Sequence, residues 1–165
     1  MFVSEQNVIQ VRHARLDDAP FILDIYQQHI AFDDITLVTA ISWIEQATEQ
    51  RPVWVATYEN EIVGWCSLEP YYGLKAFDHV AELGLYIAKK WRRNGVGKTL
   101  IKKIEHDSHD LNLSTIVVNI FSGNTSSIQF FEQQNFSHYG VVPNAVKLPH
   151  NDLENMVIMG VEFTQ

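Results

Sequence analysis

Val80-Ala81-Glu82-Leu83-Gly84-Leu85-Tyr86-Ile87, followed after three residues by Trp91-Arg92-Arg93-Asn94-Gly95-Val96-Gly97-Lys98, is the stretch on which the fold turns. The first eight residues alternate in character and read as a strand. The glycine-bearing segment reads as a turn into a helix running from Gly95 to Leu111, and Ser114 to Phe121 reads as a strand buried on both faces. Strand, helix and strand make a βαβ unit. A right-handed crossover is expected for it, which puts the turn after Ile87 at the carboxyl end of its strand, where α/β sheets bind ligands.

Outward from this unit the elements keep alternating. Upstream, Val8 to Arg15 predicts a strand. Asp17 and Asp18 open a helical pattern through Ile22, Ile25, Tyr26 and Ile30, and a second helix is expected over Thr39 to Gln50. Pro52 to Tyr58 and Ile62 to Leu68 flank Glu59-Asn60-Glu61 as an antiparallel hairpin, ended by Pro70-Tyr71-Tyr72-Gly73. Downstream, Thr125 to Gln134 predicts a short helix, and Phe136 to Val142 and Met156 to Phe163 two strands. The expectation is an α/β chain with a mixed sheet flanked by helices. With 165 residues, 46% hydrophobic, and no repeat or Pro/Gly/Ser-rich linker, the chain reads as a single domain, 1–165.

A formal charge of -8 argues against a general binder of nucleic acid or membrane surface, because both are anionic. No stretch of roughly 18 apolar residues occurs, and Met1 to Gln10 lacks the charge and apolar pattern of an export signal. Cys66 is the only cysteine, so no internal disulfide forms. A cytoplasmic protein is expected.

The segment Trp91 to Lys98 combines two glycines, three cationic side chains and an exposed helix start. The N–H groups of a first helical turn and the positive end of the helix dipole favour an anion, and glycine lets the backbone approach it. Arg92, Arg93 and Lys98 can add charge-assisted bonds. Gly97-Lys98-Thr99 imitates the end of a nucleotide-binding P-loop, but Arg92 stands where that motif needs glycine. The P-loop reading is rejected.

Alternation along Val80 to Ile87 puts Glu82, Gly84 and Tyr86 on one face and Ala81, Leu83, Leu85 and Ile87 on the other. A carboxylate, a phenol and a glycine on one strand face mark a reacting surface, since a glycine inside a strand often signals close approach by a ligand. A carboxylate on such a face can take a proton from a reacting group, and an alkyl amine, almost wholly protonated at pH 7, has to lose one before it can act as a nucleophile. Glu82 is the candidate base, directly or through a water, with partial burial expected to raise its pKa toward the working range. A backbone N–H of this strand, at Tyr86 or its neighbour, is the candidate donor to a negative charge that develops on a reacting oxygen.

Arg92-x-x-Gly95-x-Gly97 after a strand and at a helix start resembles the pyrophosphate-binding signature of the GNAT superfamily of N-acetyltransferases. Asn124-x-x-Ser127-x-x-Phe130-Phe131-Glu132-x-x-Asn135-Phe136 resembles that superfamily's second cofactor motif. Ala76-Phe77-Asp78, Val80-Ala81-Glu82 and Leu85-Tyr86-Ile87 are most similar to the phosphinothricin N-acetyltransferase group. The resemblance implies the GNAT fold, whose central mixed sheet is mostly antiparallel, and acetyl-CoA as co-substrate with no metal. It implies the backbone of Leu85, Tyr86 and Ile87 against the pantetheine arm, and Arg92, Arg93, Asn94, Gly95, Val96, Gly97 and Lys98 around the pyrophosphate. Asn124 would hold the cofactor near its thiol end, and Ser127 and Phe131 of the same motif would also bind the cofactor. The matching glutamate of phosphinothricin-type enzymes is assigned as base, which agrees with Glu82.

Many members of the superfamily protonate the departing thiolate from a tyrosine at the place held here by Phe131, so Tyr86, Tyr139, His138 or a water remain as acids. Tyr71, Tyr72, Lys75 and Phe77 in the loop before the strand, and Phe32 after the first helix, are the candidate walls for the acceptor. Phe32 to Thr39 departs from the phosphinothricin-group pattern. The expected acceptor is a small-molecule primary amine, an amino acid or analogue such as phosphinothricin or methionine sulfone. Alternatives are a polyamine, an aminoglycoside, a protein N-terminus, or a degenerate chain that binds acetyl-CoA without turnover. His106 and His109, one turn apart on the expected long helix, read as a polar face rather than a metal pair, and His79 as a second-rank candidate. Trp43, Trp54 and Trp65 are expected in the core. A homodimer is expected from the apolar last strands and the resemblance.

Overall fold

A computed structural model describes residues 8–30 and 34–164. The described residues form seven strands and four α-helices: β1 (Gln10–His13), α1 (Ala19–His29), α2 (Leu37–Gln46), β2 (Val53–Tyr58), β3 (Glu61–Pro70), β4 (Val80–Ile87), α3 (Val96–Asp107), β5 (Thr115–Phe121), α4 (Thr125–Gln133), β6 (Ser137–Lys147) and β7 (Leu153–Glu162). Short 3-10 turns precede α1, β4 and α3. Two compact units divide these elements. One holds the described residues up to Leu68 together with Gly84–Asp107, and the other holds Glu69–Leu83 with residues 108–164.

In the first unit the strands follow the order β1-β2-β3-β4, with β1–β2 and β2–β3 antiparallel. The β2–β3 hairpin closes on Glu59 and Asn60, both left-handed at φ 48° and 65°. That is the two-residue turn whose twist matches the strands it joins, one residue tighter than the sequence reading. An irregularity between Ala56 and Thr57 shifts the register. Ile22, Ile25 and Tyr26 of α1 pack with Val53, Val55 and Trp65, so the stripe repeating every three or four residues becomes the buried face of that helix. Trp54 and Trp65 are buried, and Trp43 stacks on Trp65 with ring centres 5.6 Å apart. Arg12 grips Asp18 with two hydrogen bonds, 2.7 and 3.0 Å, and the Arg15 N–H adds a third at 2.7 Å, tying β1 to the start of α1.

α2 ends at Gln46 rather than Gln50, because Thr48 and Arg51 close a turn through Thr48 N–H to the Arg51 carbonyl and Arg51 N–H to the Thr48 hydroxyl. α3 likewise stops at Asp107, short of Leu111. Asn112 turns left-handed there, and Leu111 and Leu113 are buried, which a continuing helix would not allow both to be.

In the second unit β4 pairs parallel with β5 from Val80↔Thr115 to Glu82↔Val117, while β5–β7 and β6–β7 are antiparallel, in the order β4-β5-β7-β6. The parallel β4–β5 pair around α3 is the expected βαβ unit, and the remaining recorded pairings are antiparallel. This is the mixed, mostly antiparallel α/β architecture of the sequence reading. β6 runs past Pro143 to Lys147, farther than expected, because a register shift between Val142 and Val146 absorbs the proline and Asn155 Oδ1 accepts the Asn144 N–H at 2.9 Å. The helix α4 is capped by Asn124, and its Phe131 packs on Phe136 with ring centres 4.8 Å apart.

Candidate active site

The turn from Arg92 to Gly95 enters α3 with two left-handed residues, Arg93 at φ 63° and Gly95 at φ 79°. Glycine takes this conformation freely, whereas arginine pays for it, so the backbone at Arg93 is held by its surroundings. Asn94 donates its amide to the Arg92 carbonyl at 2.9 Å, and the Gly95 carbonyl accepts from both the N–H and the hydroxyl of Thr99. Val96 and Gly97 are buried; Arg92, Arg93 and Lys98 are exposed. Helix start, exposed cations and glycine thus come together within the first unit. Arg92 differs from the expectation in one respect. Its guanidinium lies 3.2 Å from His29 Nδ1 at the end of α1, so it already has a partner within the protein.

Tyr86 lies in an aromatic cluster of the same unit. Its ring stacks on Trp65 at 4.7 Å and meets Tyr26 at 5.2 Å and His29 at 6.2 Å. Gly84 precedes it on the same face of β4. A Cβ there would stand 2.8 Å from Ser67 Oγ and 3.1 Å from Tyr86 Cε2. The groups that approach this glycine closely are the protein's own. Ile87 offers its carbonyl to His29 Nε2 at 2.6 Å, and the next residue, Ala88, donates its N–H to Val63.

Glu82 belongs to the second unit, where it is half-buried on β4. Asn119 of β5 donates its Nδ2–H to Glu82 Oε1 at 2.8 Å. The register explains the contact: Val117 is the partner of Glu82, and Asn119 follows two residues later on the same face. One carboxylate oxygen is held, and the other keeps its lone pairs for a proton. Glu69, at the end of β3, sits above the usual carboxylate range, through partial burial first and the charge of Glu82 second. Two carboxylates in mutual reach attract an ammonium group.

Asn124 Oδ1 caps α4 by accepting the Ser127 N–H and the Ser126 hydroxyl, both at 3.3 Å, which leaves its NH₂ uncommitted to the cap. Phe131 is 6% exposed, and its ring lies against Phe130 and Phe136, so the aromatic where many superfamily members carry a tyrosine serves the interior. His138 pairs with Glu132 at 3.2 Å on the surface. Tyr72 and Phe77 meet at a tilt, ring centres 5.0 Å apart, in the exposed loop that also carries Lys75. Phe32 lies outside the described residues. His79 uses its carbonyl to receive the N–H groups of Ser114 and Thr115. His106 pairs with Asp107, which also holds Lys103 at 2.7 Å, and because α3 ends at Asp107 the two histidines do not share a helix face.

Three residues that carry this geometry escaped the sequence reading, Glu69 because it lies just past the expected Ile62 to Leu68 arm. Asn119 had a visible signal, a carboxamide inside the apolar run of β5, where it is the exposed break among Ile116, Val117, Val118 and Ile120. His29 had none, because its partners lie 58 and 63 residues away.

Known proteins resemble this chain along most of its length. The family model described as Acetyltransferase (GNAT) family matches residues 11–136. YwnH of Bacillus subtilis, provisionally named a phosphinothricin acetyltransferase, is 30% identical over 146 residues, covering 84% of this chain and 90% of that protein. An L-methionine sulfoximine/L-methionine sulfone acetyltransferase of Pseudomonas aeruginosa is 25% identical over 142 residues, covering 81% of this chain and 83% of its own length. Among solved structures, a protein provisionally named a phosphinothricin N-acetyltransferase superposes with a TM-score of 0.88 at 28% identity, covering 96% of this chain and 100% of that one.

Proposed function

The chain belongs to the GNAT family of acetyltransferases and is an N-acetyltransferase; on that premise we propose that it acetylates the primary amine of a small amino acid or amino-acid analogue, with Glu82 as base. The observation that carries the reading is the Glu82 carboxylate, half-buried and held by Asn119 at 2.8 Å, on the strand that leads into the cationic turn. The names of relatives that act on methionine sulfone, methionine sulfoximine and phosphinothricin support the choice of acceptor.

The residues present fit acetyl-CoA, which when bound supplies the acetyl group as a thioester. In the first unit, the left-handed Arg93 and Gly95, the start of α3 and the exposed Arg93 and Lys98 suit a diphosphate, and the backbone of Leu85, Tyr86 and Ile87 suits the pantetheine arm. In the second unit, Glu82 takes the proton of the incoming ammonium. Asn119 fixes the carboxylate through Oε1, which leaves the other oxygen to accept, while Glu69 adds to the local negative potential. Tyr72, Lys75 and Phe77 offer an aromatic surface and a cation to the acceptor's side chain and carboxylate. The whole chain is proposed to work as one domain, a reading supported by the family match, which runs through residues of both units.

No helix among the described residues is long and apolar enough to cross a membrane. A cytoplasmic location is proposed from the lone, buried thiol of Cys66, which suits a reducing compartment. A homodimer is proposed from the exposed Tyr139, Val141, Val142 and Leu153 of β6 and β7.

The test is thiol release from acetyl-CoA across a panel of amino acids, methionine sulfone and phosphinothricin, with the free protein and with Glu82→Gln. At least one panel member is expected to turn over, and Glu82→Gln to lower kcat by roughly 100-fold or more. Silence across a broad amine panel, or an unimpaired Glu82→Gln, refutes the assignment.

A further inference from the structure

The last turn of α1 reaches the connection between β4 and α3 through two side chains. Gln28 Oε1 accepts the Lys89 N–H at 2.8 Å, while His29 stands 2.6 Å from the Ile87 carbonyl through Nε2 and 3.2 Å from Arg92 Nη2 through Nδ1. A carbonyl only accepts, so Nε2 carries the hydrogen. A guanidinium only donates, so Nδ1 is bare. The two contacts together select the neutral imidazole in one tautomer, because an imidazolium would turn an N–H toward the guanidinium.

The surroundings agree. Burial holds His29 below its ordinary range, and the nearby charges of Arg92 and Lys89 push the same way, against the bond to Ile87. Tyr86 faces it from β4 with a ring centre 6.2 Å away. The carbonyl end of α1 pulls in the other direction, as a helix C-terminus favours a cation, but a dipole effect that fades over one turn does not outweigh burial beside two cations.

We infer that His29 is a positioning residue for the co-substrate: its imidazole joins the carboxyl end of β4 to the first residue of the anion turn and orients the Arg92 side chain before a diphosphate arrives. The inference rests on the reading of Arg92 to Lys98 as the diphosphate site. Arginine has a long side chain whose rotamer freedom is otherwise lost on binding, so restraining it beforehand strengthens binding without entering the chemistry. The effect therefore falls on affinity for the nucleotide part of acetyl-CoA. kcat should scarcely move.

Coenzyme A binding by calorimetry and steady-state kinetics on His29→Ala and His29→Gln test this, together with ¹⁵N spectra of the imidazole in the unmodified protein. His29→Ala should raise the Kd for coenzyme A and the KM for acetyl-CoA by about tenfold, with kcat within about twofold. Glutamine can donate to the Ile87 carbonyl and accept from Arg92, so His29→Gln should recover most of that loss. The spectra should show hydrogen on Nε2 and a bare Nδ1 near pH 7. Equal effects of Ala and Gln, an unmoved KM, or hydrogen on Nδ1 overturns the inference while leaving the diphosphate site standing. A natural-sequence protein that does not bind coenzyme A overturns both.

Discussion

Replacing Gly64 by alanine probes the packing that holds the end of β4 against β3. Gly64 lies inside β3 opposite Ala56 and is buried. A Cβ there would stand 2.9 Å from Ile87 Cδ1, 3.0 Å from Val96 Cγ1 and 3.1 Å from the Tyr86 carbonyl oxygen. All three distances fall short of an ordinary carbon contact of about 3.5–4.0 Å. The tips of Ile87 and Val96 can yield a few tenths of an ångström, but the Tyr86 oxygen is backbone and moves only with the strand. Overpacking of this kind costs about 1–3 kcal/mol. The smaller chain entropy of alanine in the unfolded state returns roughly 0.5–1 kcal/mol of that. The net loss, up to about 2.5 kcal/mol and centred near 1 kcal/mol, lowers the melting temperature of a chain this size by about 3 °C per kcal/mol, up to about 7 °C. The displaced atoms flank the turn at Arg92 to Gly95, so the KM for acetyl-CoA should rise as well. Thermal unfolding followed by circular dichroism, paired with steady-state kinetics, measures both effects. Gly140→Ala is the control, since nothing lies within 4 Å of its added methyl, and it should melt within about 1 °C of the parent. A Gly64→Ala protein that melts with or above the parent and keeps its KM refutes the argument.

Burial works against the charge of Asp18, but the hydrogen bonds from Arg12 and the Arg15 N–H outweigh it and hold the carboxyl below its ordinary range. A depressed carboxylate stabilises the fold above its unfolded value, near pH 4, and that contribution disappears as pH falls through the folded value. Asp18→Asn should therefore lower stability near neutral pH by about 1–2 kcal/mol and flatten the loss in acid, as urea midpoints across pH will show. Cys66 is 1% exposed, and burial pushes its thiol up to about 12 despite a backbone hydrogen bond at Trp54. It should resist thiol reagents in the native protein at about pH 8 and react fully in denaturant; rapid native labelling would contradict its burial.

The readable parts of this molecule were those written over short distances. β4 has the bounds expected of it, because the alternation of its side chains is complete within those eight residues. The anion turn was legible because glycine spacing, a helix start and clustered cations all lie within eight residues. Boundaries were lost where a local pattern met a distant demand. The helical period after Gly95 continues to Leu111, yet α3 ends at Asp107 because Leu111 and Leu113 are claimed by the interior. Pro143 reads as a strand end, yet β6 continues, because a partner strand and a side-chain bond from Asn155 hold the irregularity.

The sequence by itself determined the order of strands and helices, the cationic turn and the carboxylate that stands before it, since each depends on residues that are neighbours in the chain. Only the tertiary structure decided what holds those groups. Glu82 meets Asn119 across 37 residues, and Arg92 meets His29 across 63. Hydrogen-bond partners that distant are set by strand register and helix packing, which a linear pattern of residue types does not encode.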